Sequence, residues 1–358
     1  MAEIYKIVLT GGPCGGKSSA IDYIKAFFEE KGYKVIFVSE TATEILKEGS
    51  IERGTAEFRR EFFKRQLYKE KLAYEQAEGK TLIVCDRGIM DSAAYTNPDI
   101  FKNTLAELGL HPVQVRDSYD AVFHLVTAAD GAEGFYTCNN NEVRTETAQE
   151  AISQDRKTLA VWVGHSHLRV IDNRSGFEDK MKRLVEEIAF FLGIPKRLEI
   201  ERKLLIEYPD IKTLEENPLC RHVDIEQIYL KSLNGASRRI RKRGEQGFFT
   251  CYLTEKKKIS ATVREENERI ITAGEYAELE NLADEGCVPI KKKRYLLMYE
   301  GTYFEIDIFP FWRDKAFLEV ELKSENEGFV LPPFIKVIKD VTEDEEYTNH
   351  ALARRRNI

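Results

Sequence analysis

The segment Gly11-Gly12-Pro13-Cys14-Gly15-Gly16-Lys17-Ser18 constrains this chain more than any other. It fits the spacing GxxxxGK[ST] in full. It follows a short apolar run at residues 4–9 and opens a helical pattern at residues 18–31, with Ile21, Ile24, Phe27 and Phe28 at helical spacing. Glycines let backbone N–H groups turn inward around phosphate oxygens, and a helix N-terminus adds a favourable dipole. The pattern therefore predicts a strand, a phosphate loop and a helix. Gly11, Gly12, Pro13, Cys14, Gly15, Gly16 and the neighbouring Ser19 would form the cradle, Lys17 would reach the β- and γ-phosphates, and Ser18 would ligate Mg²⁺.

Strand and helix signals then alternate. Strands are expected at residues 34–38, 81–85, 121–126 and 167–171. Helices are expected at 56–77 and at 177–192, where Met181, Leu184, Val185 and Ile188 share one face before Gly193 and Pro195 end the pattern. Such alternation predicts a parallel α/β sheet. Asp86 ends the third strand, where a carboxylate is placed to hold the Mg²⁺ shell. Glu40 ends the second strand and is either a general base or a helix-capping residue. Arg87 either touches a phosphate or pairs with Asp91. Residues 135–156 are polar and carry Arg144 and Arg156, which predicts either a lid that brings arginines to phosphates or an exposed helical hairpin. No Asn-Lys-x-Asp signature occurs, so that device does not choose GTP over ATP.

The 358 residues suggest about two domains. After Pro195 strands dominate and alternate apolar with charged residues, which divides the chain into 1–195 and 196–358. With 54 basic and 61 acidic residues the net charge is −7, so no global basic field exists to hold a nucleic acid backbone. Apolar runs are too short for a membrane-spanning helix, and no signal peptide is evident. The six cysteines lie far apart without a CxxC pair, which points to a reducing cytoplasm.

In a strand, residues i, i+2 and i+4 share a face. Glu199, Glu201 and Lys203 share one, as do Arg239, Arg241 and Arg243; Thr254, Lys256 and Lys258; Arg264, Glu266 and Glu268; Lys292 and Arg294; Glu305 and Asp307; and Glu319, Glu321 and Lys323. Two arrangements explain such strands. One is a sheet with a solvated charged face. The other is a closed antiparallel barrel with its charges inside and helices over its apolar face, for which residues 224–233, 273–283 and 347–353 are the helix candidates.

The first half resembles the AAA-like P-loop domain of nucleoside-kinase-type proteins, through the loop, Asp86-Arg87-Gly88 with Asp91, and the arginine-bearing lid. In the second half, Glu199-Ile200-Glu201-Arg202-Lys203 resembles the ExExK signature of the CYTH, or triphosphate tunnel metalloenzyme, superfamily. Arg239-Ile240-Arg241, 253–256, 305–309, 319–323 and 341–347 follow that family in order. The resemblance implies an α+β antiparallel tunnel barrel. Glu199, Glu201, Glu266, Glu268, Asp307, Glu319 and Glu321 would hold Mg²⁺ or Mn²⁺, while Lys203, Arg239, Arg241, Lys256, Arg294 and Lys336 would clamp a phosphate chain. The two domains in this order resemble the TRPL translocation defect protein family, which implies GTP binding and contact with anionic phospholipids such as phosphatidic acid and phosphoinositides.

Two classes of function follow. In the first, an ATP- or GTP-dependent P-loop NTPase or kinase stands beside a tunnel that binds or hydrolyses a triphosphate. In the second, a nucleotide-regulated module recognises a phospholipid headgroup without chemistry, at the periphery of a membrane. The number of carboxylates favours metal and therefore chemistry, because glutamates repel a phosphate in the absence of a cation.

Overall fold

The structure is a computed structural model that describes residues 3–49, 51–52, 54–135, 147–194, 200–233, 236–258, 264–322 and 327–355. The chain divides into two compact units, Met1–Pro195 and Lys196–Ile358. The first contains β1 (Glu3–Thr10), α1 (Lys17–Glu30), β2 (Lys34–Val38), α2 (Thr41–Glu48), α3 (Ala56–Glu75), β3 (Lys80–Asp86), α4 (Pro98–Glu107), α5 (Pro112–Arg116), β4 (Ala121–Leu125), α6 (Ala148–Trp162), β5 (Leu168–Ile171) and α7 (Phe177–Phe191).

Its five strands form a parallel sheet in the order β2-β3-β1-β4-β5. Helices cover the sheet, so the strands are apolar on both faces; every residue of β4 is buried. Ile7, Leu9, Leu82, Val84, Phe123 and Leu125 pack with Ile24 and Phe28 of α1 and with Met181, Leu184, Val185 and Ile188 of α7. β1 lies between β3 and β4, and the chain builds β2 and β3 on one side of it before crossing to β4 and β5 on the other, so the loop after β1 opens at the crevice where α/β sheets bind ligands.

The second unit contains β6 (Ile200–Glu207), α8 (Ile211–Glu216), β7 (Cys220–Leu233), β8 (Ala236–Glu245), β9 (Phe248–Lys258), β10 (Arg264–Ile271), α9 (Ala273–Glu280), β11 (Ile290–Tyr299), β12 (Thr302–Ile308), β13 (Lys315–Leu322), β14 (Val337–Asp340) and α10 (Asn349–Arg355). The nine strands form one antiparallel sheet in the order β10-β9-β8-β7-β11-β12-β13-β6-β14. Among the described residues no pairing joins β10 to β14. The sheet nevertheless curls. Tyr229 of β7 and Leu205 of β6 stand four strands apart in the order, yet share one core cluster with Ile290, Phe317, Val341 and Leu352 of α10. Flat neighbours spaced about 4.8 Å apart would leave them near 19 Å.

Residues 224–233, expected as a helix, belong to β7. Val223, Ile225, Ile228, Tyr229 and Leu230 are all buried, so the strand is covered on both faces. Apolar residues on both faces of a strand imitate the i, i+3, i+4 spacing of a helix. Among the described residues no helix is long and apolar enough to cross a membrane.

Candidate functional sites

The phosphate loop is shaped by what lies behind it. A Cβ on Gly11 would fall 2.1 Å from the Leu125 carbonyl oxygen, and one on Gly15 would fall 2.6 Å from the same atom. Only glycine lets the loop seat this closely on the end of β4. Thr127 Oγ1 donates to the Pro13 carbonyl at 2.5 Å, and Cys14 adopts a left-handed backbone with φ of 56°. The turn delivers Lys17 to the start of α1, with Ser18 and Ser19 exposed beside it.

Lys17 Nζ lies 3.2 Å from the Gly12 carbonyl and 3.4 Å from that of Gly11. Burial, and secondarily the Arg87 guanidinium, lower its pKa to about 8, against the opposing pull of Asp86, Glu40 and Asp91. Asp86 ends β3 with Oδ1 buried and without a hydrogen-bond partner, and burial raises its carboxyl above the usual range despite Lys17. An orphaned carboxylate oxygen at the end of β3 and an exposed hydroxyl at Ser18 are oxygen donors of the kind a Mg²⁺ shell takes. Arg87 Nε donates to Glu40 Oε1 at 2.8 Å and its NH1 to Asp91 Oδ1 at 3.3 Å. Glu40 also accepts from Thr43 Oγ1 at 2.7 Å, and its carboxyl is held below the usual range by Arg87 and Thr43 although burial opposes this. Glu40 thus positions Arg87 in this state, and its side chain makes no cap to the α2 backbone. Arg87 has φ of 67°, a strained conformation of the kind that collects at functional sites.

Asp155 has no local sequence signal. It stands on the buried stripe of α6 with Ala151, Thr158, Leu159 and Trp162. Its Oδ1 accepts from the Gly12 amide at 2.5 Å and from the Thr127 amide at 3.2 Å, and its Oδ2 lies 3.1 Å from His124 Nε2. Of the stretch read as a lid, residues 136–146 lie outside the described residues, and its described end supplies through Asp155 a strut beneath the loop. Arg156 is exposed on α6, and Arg144 lies outside the described residues.

In the second unit the strand registers place the charged residues together. Glu321 pairs with Glu201, Glu319 with Lys203 and with Glu305, and Asp307 with Arg294. Gln227 pairs with Arg241, Tyr229 with Arg239, Ser237 with Lys256, and Thr254 with Glu268. Directly paired residues point to the same side, so one face of the sheet carries all of them. This is the face that carries Leu205, Tyr229 and Phe317, on the inside of the curl.

At its centre Arg294 NH2 lies 2.6 Å from Asp307 Oδ2 and 2.7 Å from Glu319 Oε2, and Arg294 also pairs with Glu305. Lys292 Nζ meets Asp307 Oδ2 at 2.5 Å, and Lys203 Nζ meets Glu319 Oε1 at 2.7 Å. The Asp307 side chain is wholly buried and that of Glu319 is 9% exposed. Burial works against their charge, but Arg294 with Lys292, and Lys203 with Arg294, hold the two carboxyls below the usual range. Burial and Arg294 lower Lys292 to about 8. Three cations thus face three carboxylates. Lys292 is a member of this knot that a reading of charge patterns undervalues, because its partner becomes known only from the register.

Glu201 and Glu321 stand directly opposite each other on the same face. Both glutamates also interact with other groups, Glu201 with Lys203 among them, and their carboxylates are oxygen donors of the kind that hard divalent cations take. This donor set fits Mg²⁺ or Mn²⁺. Farther along, Arg241 NH2 binds Glu268 at 2.8 Å, and Thr254 Oγ1 donates to the same carboxylate at 2.7 Å. Glu199 and the side chain of Glu266 lie outside the described residues. Lys336 does not join the cluster: it precedes β14, is exposed, and lies 3.4 Å from Glu207.

Residues 6–180 match the AAA domain family, and residues 197–345 match the CYTH domain family. The crystal structure described as that of the inorganic triphosphatase NE1496 shares 30% identity, covering 44% of this chain and 94% of that one with a TM-score of 0.30. The PH1012 protein of Pyrococcus horikoshii OT3 shares 19%, covering 35% of this chain and 80% of that one with a TM-score of 0.27. Among curated proteins none matches the chain.

Proposed function

From a chain that joins an AAA domain to a CYTH domain, we infer that the first unit binds a nucleoside triphosphate with Mg²⁺ and turns it over. We infer further that the second binds a triphosphate with Mg²⁺ or Mn²⁺ and cleaves its phosphoanhydride bond. The gathering of Glu201, Glu319 and Glu321 with Lys203 and Arg294 on one face of the curled sheet is the observation that supports the second reading. A receptor for phosphate alone gains nothing from carboxylates that face each other. The phospholipid reading rests on resemblance only. Membership of the TRPL translocation defect family belongs to this proposal, on the order of the two domains.

In the first unit the loop amides and Lys17 bind the phosphates, Asp86 and Ser18 hold the cation, and Arg87 is the cation available to a transferred phosphoryl group. In the second, Lys203, Arg239, Arg241 and Lys256 orient the phosphate chain. A divalent cation, when bound, neutralises and polarises phosphoryl oxygens. The knot is neutral, so a polyanion and a metal are expected to enter together: phosphate oxygens take over part of the role of Glu319 on Lys203, and the cation offsets the carboxylates.

Titration calorimetry with tripolyphosphate tests this. Affinity is expected to rise by about tenfold or more, about 1.4 kcal/mol, when Mg²⁺ or Mn²⁺ replaces a chelator. Lys203→Ala is expected to weaken tripolyphosphate binding both with and without metal, because a phosphate-binding cation is lost. Equal affinity with and without metal would contradict the proposed role of the glutamates.

A further inference from the structure

A different set of side chains meets where the last helix docks. Asp284, Cys287 and His350 each direct one donor atom into a common space, all within 4.8 Å of one another, and all three residues are half-buried. Two separate pieces of chain supply them, the turn after α9 and helix α10. Both pieces are held from the same residue of β7. The Asp284 amide donates to the Tyr229 carbonyl at 2.9 Å, and the His350 ring packs against the Tyr229 ring at 4.8 Å between centroids. Within the turn, Asp284 Oδ1 accepts from the Gly286 amide at 2.9 Å, and its carbonyl accepts from the Cys287 amide at 3.0 Å. This presents Oδ2 and the Cys287 Sγ 3.9 Å apart. Helix α10 is anchored by buried Leu352 and Ala353 and by the Val288 amide, which donates to the Ala353 carbonyl at 3.2 Å.

We propose that Asp284, Cys287 and His350 form a binding site for a borderline-soft divalent cation of the Zn²⁺ class, with the fourth position open to water. One sulfur, one nitrogen and one oxygen donor suit Zn²⁺, whereas Mg²⁺ demands oxygen ligands throughout. Nucleophilic cysteine chemistry fits the same residues poorly. It would need an imidazole against the thiol and the carboxylate behind the imidazole. Here the carboxylate contacts the thiol itself. A cation takes both the carboxylate and the thiolate as ligands. Arg354 also interacts with Cys287 and has to swing aside when the site fills. The donors are tetrahedral neighbours after a contraction of about 1 Å.

The consequence lies in the fold. Leu352 of α10 sits in the cluster formed by Leu205, Tyr229 and Phe317 on the inner face of the curled sheet. A cation bridging 284–287 to 350 closes a loop of roughly sixty residues and ties this helix to the sheet. Loading the site therefore secures the element that fills one part of the interior, independently of any metal on the glutamates.

The test uses the full chain, stripped with chelator and titrated with Co²⁺ as a spectroscopic substitute, followed by displacement with Zn²⁺. A single equivalent is expected to produce a sulfur-to-cobalt charge-transfer band and tetrahedral visible bands, to be displaced by Zn²⁺, and to be unaffected by excess Mg²⁺. Zn²⁺ is expected to raise the melting temperature. Cys287→Ser removes the sulfur band and the Zn²⁺-dependent shift. His350→Gln, which keeps the thiol, weakens Co²⁺ by about tenfold or more. Absence of a sulfur band in the wild type, its survival in Cys287→Ser, or its loss in Cys14→Ser instead would overturn the proposal. None of these readouts depends on hydrolysis, so the proposal stands or falls apart from the function inferred above.

Discussion

Lys17→Ala is expected to weaken MgATP and MgGTP binding by about a hundredfold or more, within the 2–5 kcal/mol range for removing one member of a desolvated charge pair. Lys17 and Arg87 are the cations acting among Asp86, Glu40 and Asp91. Without Lys17, two negative charges of that group are unmatched rather than one, and they repel the phosphates. The fold should survive, since among the described residues the hydrogen bonds of Lys17 go to the carbonyls of its own loop. The same residue sets a pH dependence. The Lys17 pKa of the free protein is about 8, and a bound phosphate chain raises it. Binding therefore takes up a proton above pH 8, and affinity falls by about tenfold for each pH unit until the pKa of the complex is reached. Calorimetry at pH 7 and pH 9 on the wild type and the variant checks both statements. Affinity within twofold of the wild type in Lys17→Ala would remove the phosphate loop from nucleotide binding.

Arg294→Leu is expected to destabilise the second unit by about 3–5 kcal/mol, the cost of leaving buried charge without its partner. Arg294 is the one residue of the knot that touches Glu305, Asp307 and Glu319 together. After its loss the direct ion pairs left to them among the described residues are Asp307 with Lys292 and Glu319 with Lys203. The sign of the pH effect is fixed. Asp307 and Glu319 have folded-state pKa values below their unfolded values. Their contribution is present above the unfolded value and is lost as pH falls through the folded one. Removing Arg294 raises the folded values, so acid unfolding should begin at a higher pH. Trp162 and Trp312 place one fluorophore in each unit, and urea unfolding followed by tryptophan emission reads the transition. A loss below about 1 kcal/mol would mean that the knot is solvated like a surface pair.

The phosphate loop and its flanking elements were legible because their signal is local. Eight contiguous residues set the turn, and the apolar residues of α7 repeat at a helical spacing that tertiary structure preserves. The charged strands were legible for a related reason: period-two placement of Glu319 and Glu321 survives whatever their partners are. Partnership was not legible. That Glu201 opposes Glu321, or that Lys292 rather than Lys203 meets Asp307, depends on register across strands distant in sequence. Asp155 is one acidic residue in a helical stretch, and only the approach of α6 to Gly12 gives it meaning. Residues 224–233 misled for the opposite reason, since cover on both faces of β7 erased its alternation. The phosphate clamp assigned to Lys336 came from resemblance alone, and its exposed place ahead of β14 leaves it beside Glu207.

Release of orthophosphate from inorganic tripolyphosphate by the full chain, with Mg²⁺ and with Mn²⁺, tests the central claim most directly. Three proteins suffice: the wild type, Lys17→Ala, and Glu319→Gln combined with Glu321→Gln. The account predicts metal-dependent release by the wild type, unchanged release by Lys17→Ala, and a fall of about a thousandfold in the double variant, which lacks charge both in the knot and at the opposed glutamates. Bound tripolyphosphate without release in either metal, or release that disappears with Lys17, would contradict it.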